Sequence, residues 1–200
     1  MIKFVPNILT IARLVLAIVI LGMLLYIPTY QKHETAAAVS AYIDWLFVLF
    51  LVACLTDAID GKIARSYNVA SKFGRMLDPL VDKVLVCGGF IALAVIGEPK
   101  LFNFSPLTLS IIQWGIAGII TLRELVMTIV RHIAESRGIN FAATAAGKLK
   151  MFVQSFAIGT ILVKMAHFAD AAWGNWFTSI VLIAAAVLTV VSAMPSMRRT

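Results

Sequence analysis

The chain has 200 residues, 61% of them hydrophobic and only 14% charged. Soluble domains average about 45–50% apolar and about 25% charged, so a soluble fold and a disordered chain are both excluded. With two cysteines, a disulfide-built secreted domain is excluded too. A mean hydropathy of +0.95 agrees. At about 20 apolar residues per membrane crossing, the composition predicts an all-α, polytopic integral membrane protein. We expect one domain over residues 1–200, with six transmembrane helices and short loops.

The first predicted helix runs from about Asn7 to Ile27, and Pro28 and the polar run Gln31-Lys32-His33-Glu34 follow it. Its apolar run is too long for a cleaved signal peptide, so it reads as a retained span. A second helix is expected over Tyr42–Ala58. A charged stretch from Asp60 to Arg75 comes next, broken by Gly61 and Gly74. The third helix covers Phe73–Ile96 and stops at Gly97-Glu98-Pro99; the fourth covers Pro106–Arg131. A polar turn over Glu135–Asn140 leads to a fifth helix, Ala143–Phe168. Gly174-Asn175 is expected to close a turn before the sixth, Trp176–Met194, which Pro195 ends.

An even helix count places both termini on one side. The loops of the other side, with adjacent helix ends, hold Lys32, Lys100 and Lys164; the rest of the 17 Lys and Arg fall on the terminal side or in helices approaching it. Basic residues favour the cytoplasm, so both termini are expected there. The net charge of +7 thereby points to membrane lipids and not to nucleic acid. Trp173 and Trp176 suit the opposite interface. Cys54 and Cys87 sit in apolar runs as small packing residues, and the three histidines lack ligand spacing.

The segment from Asp57 to Asp82 departs from this apolar pattern. Asp57 and Asp60 stand three residues apart, and Asp78 and Asp82 four apart. Each spacing puts a pair on one helix face, and a turn between the helices would let all four converge. Four such carboxylates repel one another unless a cation intervenes. Oxygen-only ligands select Mg²⁺ or Mn²⁺, and two such ions about 3.5–4 Å apart can clamp a phosphate undergoing displacement. Gly61 and Gly74 leave room for close approach, and Arg65 offers a fork to phosphate oxygens.

The whole pattern, Asp-x₂-Asp-Gly-x₂-Ala-Arg-x₈-Gly-x₃-Asp-x₃-Asp, resembles the signature of the CDP-alcohol phosphotransferases. It matches at Asp57, Asp60, Gly61, Ala64, Arg65, Gly74, Asp78 and Asp82. The resemblance implies an enzyme that displaces CMP from a CDP-linked donor with an alcohol, using two divalent metal ions. It implies that Asp57 and Asp78 touch both metals, Asp60 one and Asp82 the other. Asp82 would also be the base that takes the acceptor's hydroxyl proton. Gly61, Arg65 and Ser71 would line the CDP site, and a homodimer is the assembly to expect.

Two further segments resemble the bacterial branch whose donor is CDP-diacylglycerol and whose acceptor is sn-glycerol 3-phosphate. Pro6-Asn7-x-Leu9-Thr10-x-x-Arg13 adds Asn7 and Thr10 to the expected donor site. Arg123-Glu124, Arg131 and Gly147-Lys148-Leu149-Lys150 suggest an acceptor-phosphate site made of Arg123, Arg131, Lys148 and Lys150. The expected setting is the bacterial inner membrane, with the site facing the cytoplasm. Two rivals stand beside this reading. One is the same chemistry with phosphatidylglycerol, inositol phosphate or serine as acceptor. The other is a divalent-cation transporter, which the apolar run Ile91–Ile96 disfavours by offering no polar path across.

Overall fold

The computed structural model describes residues 5–67, 72–136 and 145–192; within these, the side chains of 5–10, 57–67, 72–82, 131–132, 134–136, 145–146 and 148 lie outside the description. Six helices lie among the described residues: α1 Val5–His33, α2 Ala36–Tyr67, α3 Lys72–Val95, α4 Pro106–Ser136, α5 Ala145–His167 and α6 Ala172–Val191. There are no strands among the described residues. Five helices are long and apolar enough to cross a membrane over the described residues, and the described part of α3, Lys83–Val95, is a shorter apolar helix.

Short connections make successive helices antiparallel, so the bundle has two ends. The α1–α2, α3–α4 and α5–α6 connections share the far end; the α2–α3 and α4–α5 connections share the other. Packing closes a ring in the order α1, α3, α4, α6, α5, α2, with α3 and α5 also meeting across its middle. The inward stripes follow helical periodicity: Ala17, Ile20, Leu24 and Ile27 on α1, and Ile43, Leu46, Phe50 and Ala53 on α2, are all buried. On the same helices Val15, Ile18, Leu25, Trp45, Val52 and Leu55 are exposed, as lipid-facing side chains should be.

The interior of a membrane bundle depends on close backbone approach, because lipid is as apolar as the core. Two adjacent glycines of α3 supply it. A Cβ on Gly88 would lie 2.8 Å from Leu21 Cδ1 of α1, and one on Gly89 would lie 2.9 Å from Ile158 Cδ1 of α5.

Three helix ends are satisfied locally. Thr35 and Ser105 cap α2 and α4, accepting from the amides of Ala38 (3.3 Å) and Thr108 (3.2 Å), with Pro106 at the first helical position. At the end of α3, Gly97 adopts φ 77°, which places the Glu98 amide on Leu93 O (2.9 Å) and its own on Ala94 O (3.2 Å). That is the glycine-terminated stop anticipated there.

Several boundaries differ from the sequence expectation. α1 runs through Pro28 to His33. The backbone bond lost at proline is outweighed by packing on α2: Tyr30 stacks on Tyr42 at 4.6 Å, and Tyr42 donates to Met23 O at 3.0 Å. α2 begins at Ala36 and continues through Gly61 to Tyr67. Glycine costs a helix only about 1 kcal/mol relative to alanine, which does not stop a long one. Gly174 and Asn175 are not a turn but buried residues of α6. The turn is the preceding segment, where Phe168 O approaches to 3.3 Å of where a Gly174 Cβ would stand.

Candidate active site

The carboxylate motif falls on two helix segments that mirror each other. Asp57 and Asp60 belong to α2, ten and seven residues before its end at Tyr67; Asp78 and Asp82 belong to α3, six and ten residues after its start at Lys72. At 1.5 Å per residue, Asp57 and Asp82 both lie about 15 Å of helix from the α2–α3 connection. Asp60 and Asp78 lie about 9–11 Å from it. The side chains of these four, and those of Asn7, Thr10, Gly61, Arg65, Arg131 and Lys148, lie outside the described residues, as does Ser71 entirely.

At the same end of the bundle the structure brings together a buried polar cluster from α4, α5 and α6, with a more exposed contact to α3 beside it. Its centre is Glu124, 8% exposed. Arg123 Nη1 donates to Glu124 Oε1 at 3.1 Å, and Lys150 Nζ pairs with the same oxygen. Arg123 also reaches α6: Nε donates to Thr189 O at 3.2 Å and Nη2 to Ser192 Oγ at 2.8 Å. Its guanidinium thus rests on the carbonyl end of α6, where the helix dipole favours a cation. Ser192 Oγ donates to Thr189 O at 3.0 Å, and Gln154 Nε2 of α5 donates to Thr189 Oγ1 at 2.8 Å. On the other side, Thr128 Oγ1 donates to Glu124 O at 2.6 Å and receives Lys83 Nζ of α3.

The cluster is rich in positive donors. Arg123 has five N–H groups and Lys150 three; the contacts above use three of the first and one of the second. Among the described residues, one buried carboxylate therefore faces two cations. Buried charge of one sign requires an opposite partner, so the arrangement suits an anion with several oxygens.

Of the residues expected at an acceptor-phosphate site, Arg123 and Lys150 do meet, and Glu124 is what joins them. Glu124, Lys83, Thr128, Gln154, Thr189 and Ser192 join them beyond the sequence expectation. Their signal was present: each is a polar residue in or beside an apolar span, and such residues face a bundle interior and mark function. Glu124 and Thr128, and Lys150 and Gln154, are also four apart on their helices.

A second feature opens sideways. An apolar groove of about 650 Å³ lies between α2, α5 and α6, running from Leu55 and Phe152 towards Phe168 and Trp173 at the far end. Phe47, Phe156 and Phe177 line its length.

The chain belongs to the CDP-alcohol phosphatidyltransferase family, whose profile it matches over residues 3–191. It is 34% identical over 193 residues to the probable phosphatidylglycerophosphate synthase of Mycobacterium tuberculosis, covering 96% of this chain and 79% of that one. It is 30% identical over 190 residues to the CDP-diacylglycerol–glycerol-3-phosphate 3-phosphatidyltransferase of Rickettsia typhi (95% and 93% covered). With the enzyme of the same name from Bacillus subtilis, identity is 33% over 145 residues (72% and 67%).

Proposed function

We propose that this enzyme transfers the phosphatidyl group of CDP-diacylglycerol to sn-glycerol 3-phosphate, giving phosphatidylglycerophosphate and CMP. The observation that carries the acceptor assignment is the convergence of Arg123 and Lys150 on one buried carboxylate oxygen, which gathers two cations at one place. The names of the relatives agree with it.

Six transmembrane helices with both termini cytoplasmic follow from counting α3 as a span and from the crowding of Lys and Arg at the motif end. The enzyme would then sit in the bacterial inner membrane with its site facing the cytoplasm. A homodimer is the assembly that the family resemblance suggests.

The residues present fit a divalent-metal centre. Asp57, Asp60, Asp78 and Asp82 form an all-carboxylate donor set, suited to two Mg²⁺ or Mn²⁺ ions, on helix segments at matching depth. When bound, the ions neutralise charge on the donor's diphosphate and on departing CMP. Gly61, Arg65, Ser71, Asn7 and Thr10 hold the CDP-diacylglycerol head group, and an acyl chain lies in the groove between α2, α5 and α6. Arg123 and Lys150, with Arg131 and Lys148, hold the phosphate of glycerol 3-phosphate. That grip orients the free hydroxyl towards the donor phosphorus, and Asp82 accepts the hydroxyl proton as the new P–O bond forms and the bond to CMP breaks.

The test is CMP release by purified protein given CDP-diacylglycerol, Mg²⁺ or Mn²⁺ and one acceptor at a time. Glycerol 3-phosphate should support turnover, and inositol phosphate, serine and phosphatidylglycerol should not. Turnover with one of those and none with glycerol 3-phosphate would reject the assignment.

A further inference from the structure

Every cation in the buried cluster has a helix of its own, and Glu124 is where they are joined. Arg123 comes from α4 and is anchored on α6; Lys150 comes from α5 and, at 3% exposure, meets Glu124 as its acceptor. Both charges sit on the same atom, Oε1. Two cations gathered in an apolar interior repel each other strongly, so without a carboxylate between them they would not stay side by side. One turn further along α4, Thr128 donates to the main-chain oxygen of Glu124 and receives Lys83, the residue after Asp82. The helix that carries Glu124 thus also meets α3, the helix that carries Asp78 and Asp82.

We infer that Glu124 is a positioning residue for acceptor capture. It does not touch the substrate. It holds Arg123 and Lys150 together as one prepared fork, so that an incoming phosphate dianion meets both cations at once. A neutral amide at position 124 would still accept a hydrogen bond but would remove the carboxylate charge that both buried cations share, and the fork would open. The inference rests on the acceptor reading above and adds to it the residue that makes the site.

The experiment compares wild type, Glu124→Gln and Glu124→Asp as full-length protein in nanodiscs of one lipid composition. CMP release is measured against glycerol 3-phosphate at saturating donor, and against CDP-diacylglycerol at saturating acceptor. Glu124→Gln should raise the KM for glycerol 3-phosphate at least ~10-fold, the loss expected when a charged hydrogen-bonded partner is removed. The KM for CDP-diacylglycerol should stay within about 2-fold, as removed acceptor binding requires. Glu124→Asp, which keeps the charge and shortens the reach, should fall between. A folded Glu124→Gln enzyme with an unchanged acceptor KM overturns the inference, as does an equal rise in both KM values. If Glu124→Gln does not fold, Glu124→Asp decides by the same split. Wild type that ignores glycerol 3-phosphate but uses another acceptor overturns the acceptor reading itself, a result distinct from the others.

Discussion

Lys83 of α3 donates its ammonium to the hydroxyl of Thr128 on α4. Lys83 follows Asp82 directly, and Thr128 in turn donates to the main chain of Glu124. This contact joins the helix that carries Asp78 and Asp82 to the helix that carries Arg123 and Glu124.

Loss of the base should be nearly complete. Asp82→Asn keeps the shape and removes the proton acceptor, and positioned bases are worth about 10²–10⁴-fold. Turnover should fall by that factor with helix content unchanged by circular dichroism. Near-normal CMP release from Asp82→Asn would remove Asp82 from that role.

Arg123 has a second task, because its guanidinium also holds the last turn of α6. Arg123→Ala should raise the acceptor KM and destabilise the fold by about 2 kcal/mol, the range for charged hydrogen bonds. Arg123→Lys should recover little, since an ammonium cannot reach Glu124, Thr189 and Ser192 in three directions. Thermal unfolding in detergent and acceptor kinetics measure the two effects separately.

The α3–α5 contact should not admit bulk. Gly89→Leu would place its side chain where Ile158 Cδ1 already lies 2.9 Å from the Cβ position. Overpacking of this kind costs about 1–3 kcal/mol and should appear as a lower unfolding temperature.

At the far end, burial pushes the Glu98 carboxyl up from its ordinary range, against the opposing pull of the Lys100 amide and ammonium and of Lys164. The folded state then binds this proton more tightly than the unfolded state, so stability falls as pH rises from about 4.3, the unfolded value, through the raised one. Glu98→Gln keeps an acceptor for the Lys100 amide and cannot titrate. The unfolding temperature of wild type minus that of Glu98→Gln should therefore decline with rising pH; an increase would contradict the sign.

The apolar periodicity made six helices legible, because in lipid every backbone group must be satisfied within its own helix. The carboxylate motif was legible because it breaks that periodicity. Pro28, Gly61 and Gly174 misled as stop signals. A breaker sets only a local cost, while Tyr30 on Tyr42 and Phe168 beside Gly174 are contacts between residues distant in sequence or across a turn. The role of Glu124 was hidden for the same reason. Beside Arg123 in sequence it looks like half of a neighbouring pair, and only the packing of α4 on α5 brings Lys150, 26 residues later, onto its carboxylate.

The central claim concerns where the acceptor goes. Purified enzyme would be given CDP-diacylglycerol, divalent metal and radiolabelled glycerol 3-phosphate, and label in extracted lipid would be compared with CMP released. The account predicts equal amounts of the two, both lost in Asp82→Asn. CMP released with the label left in water would contradict it.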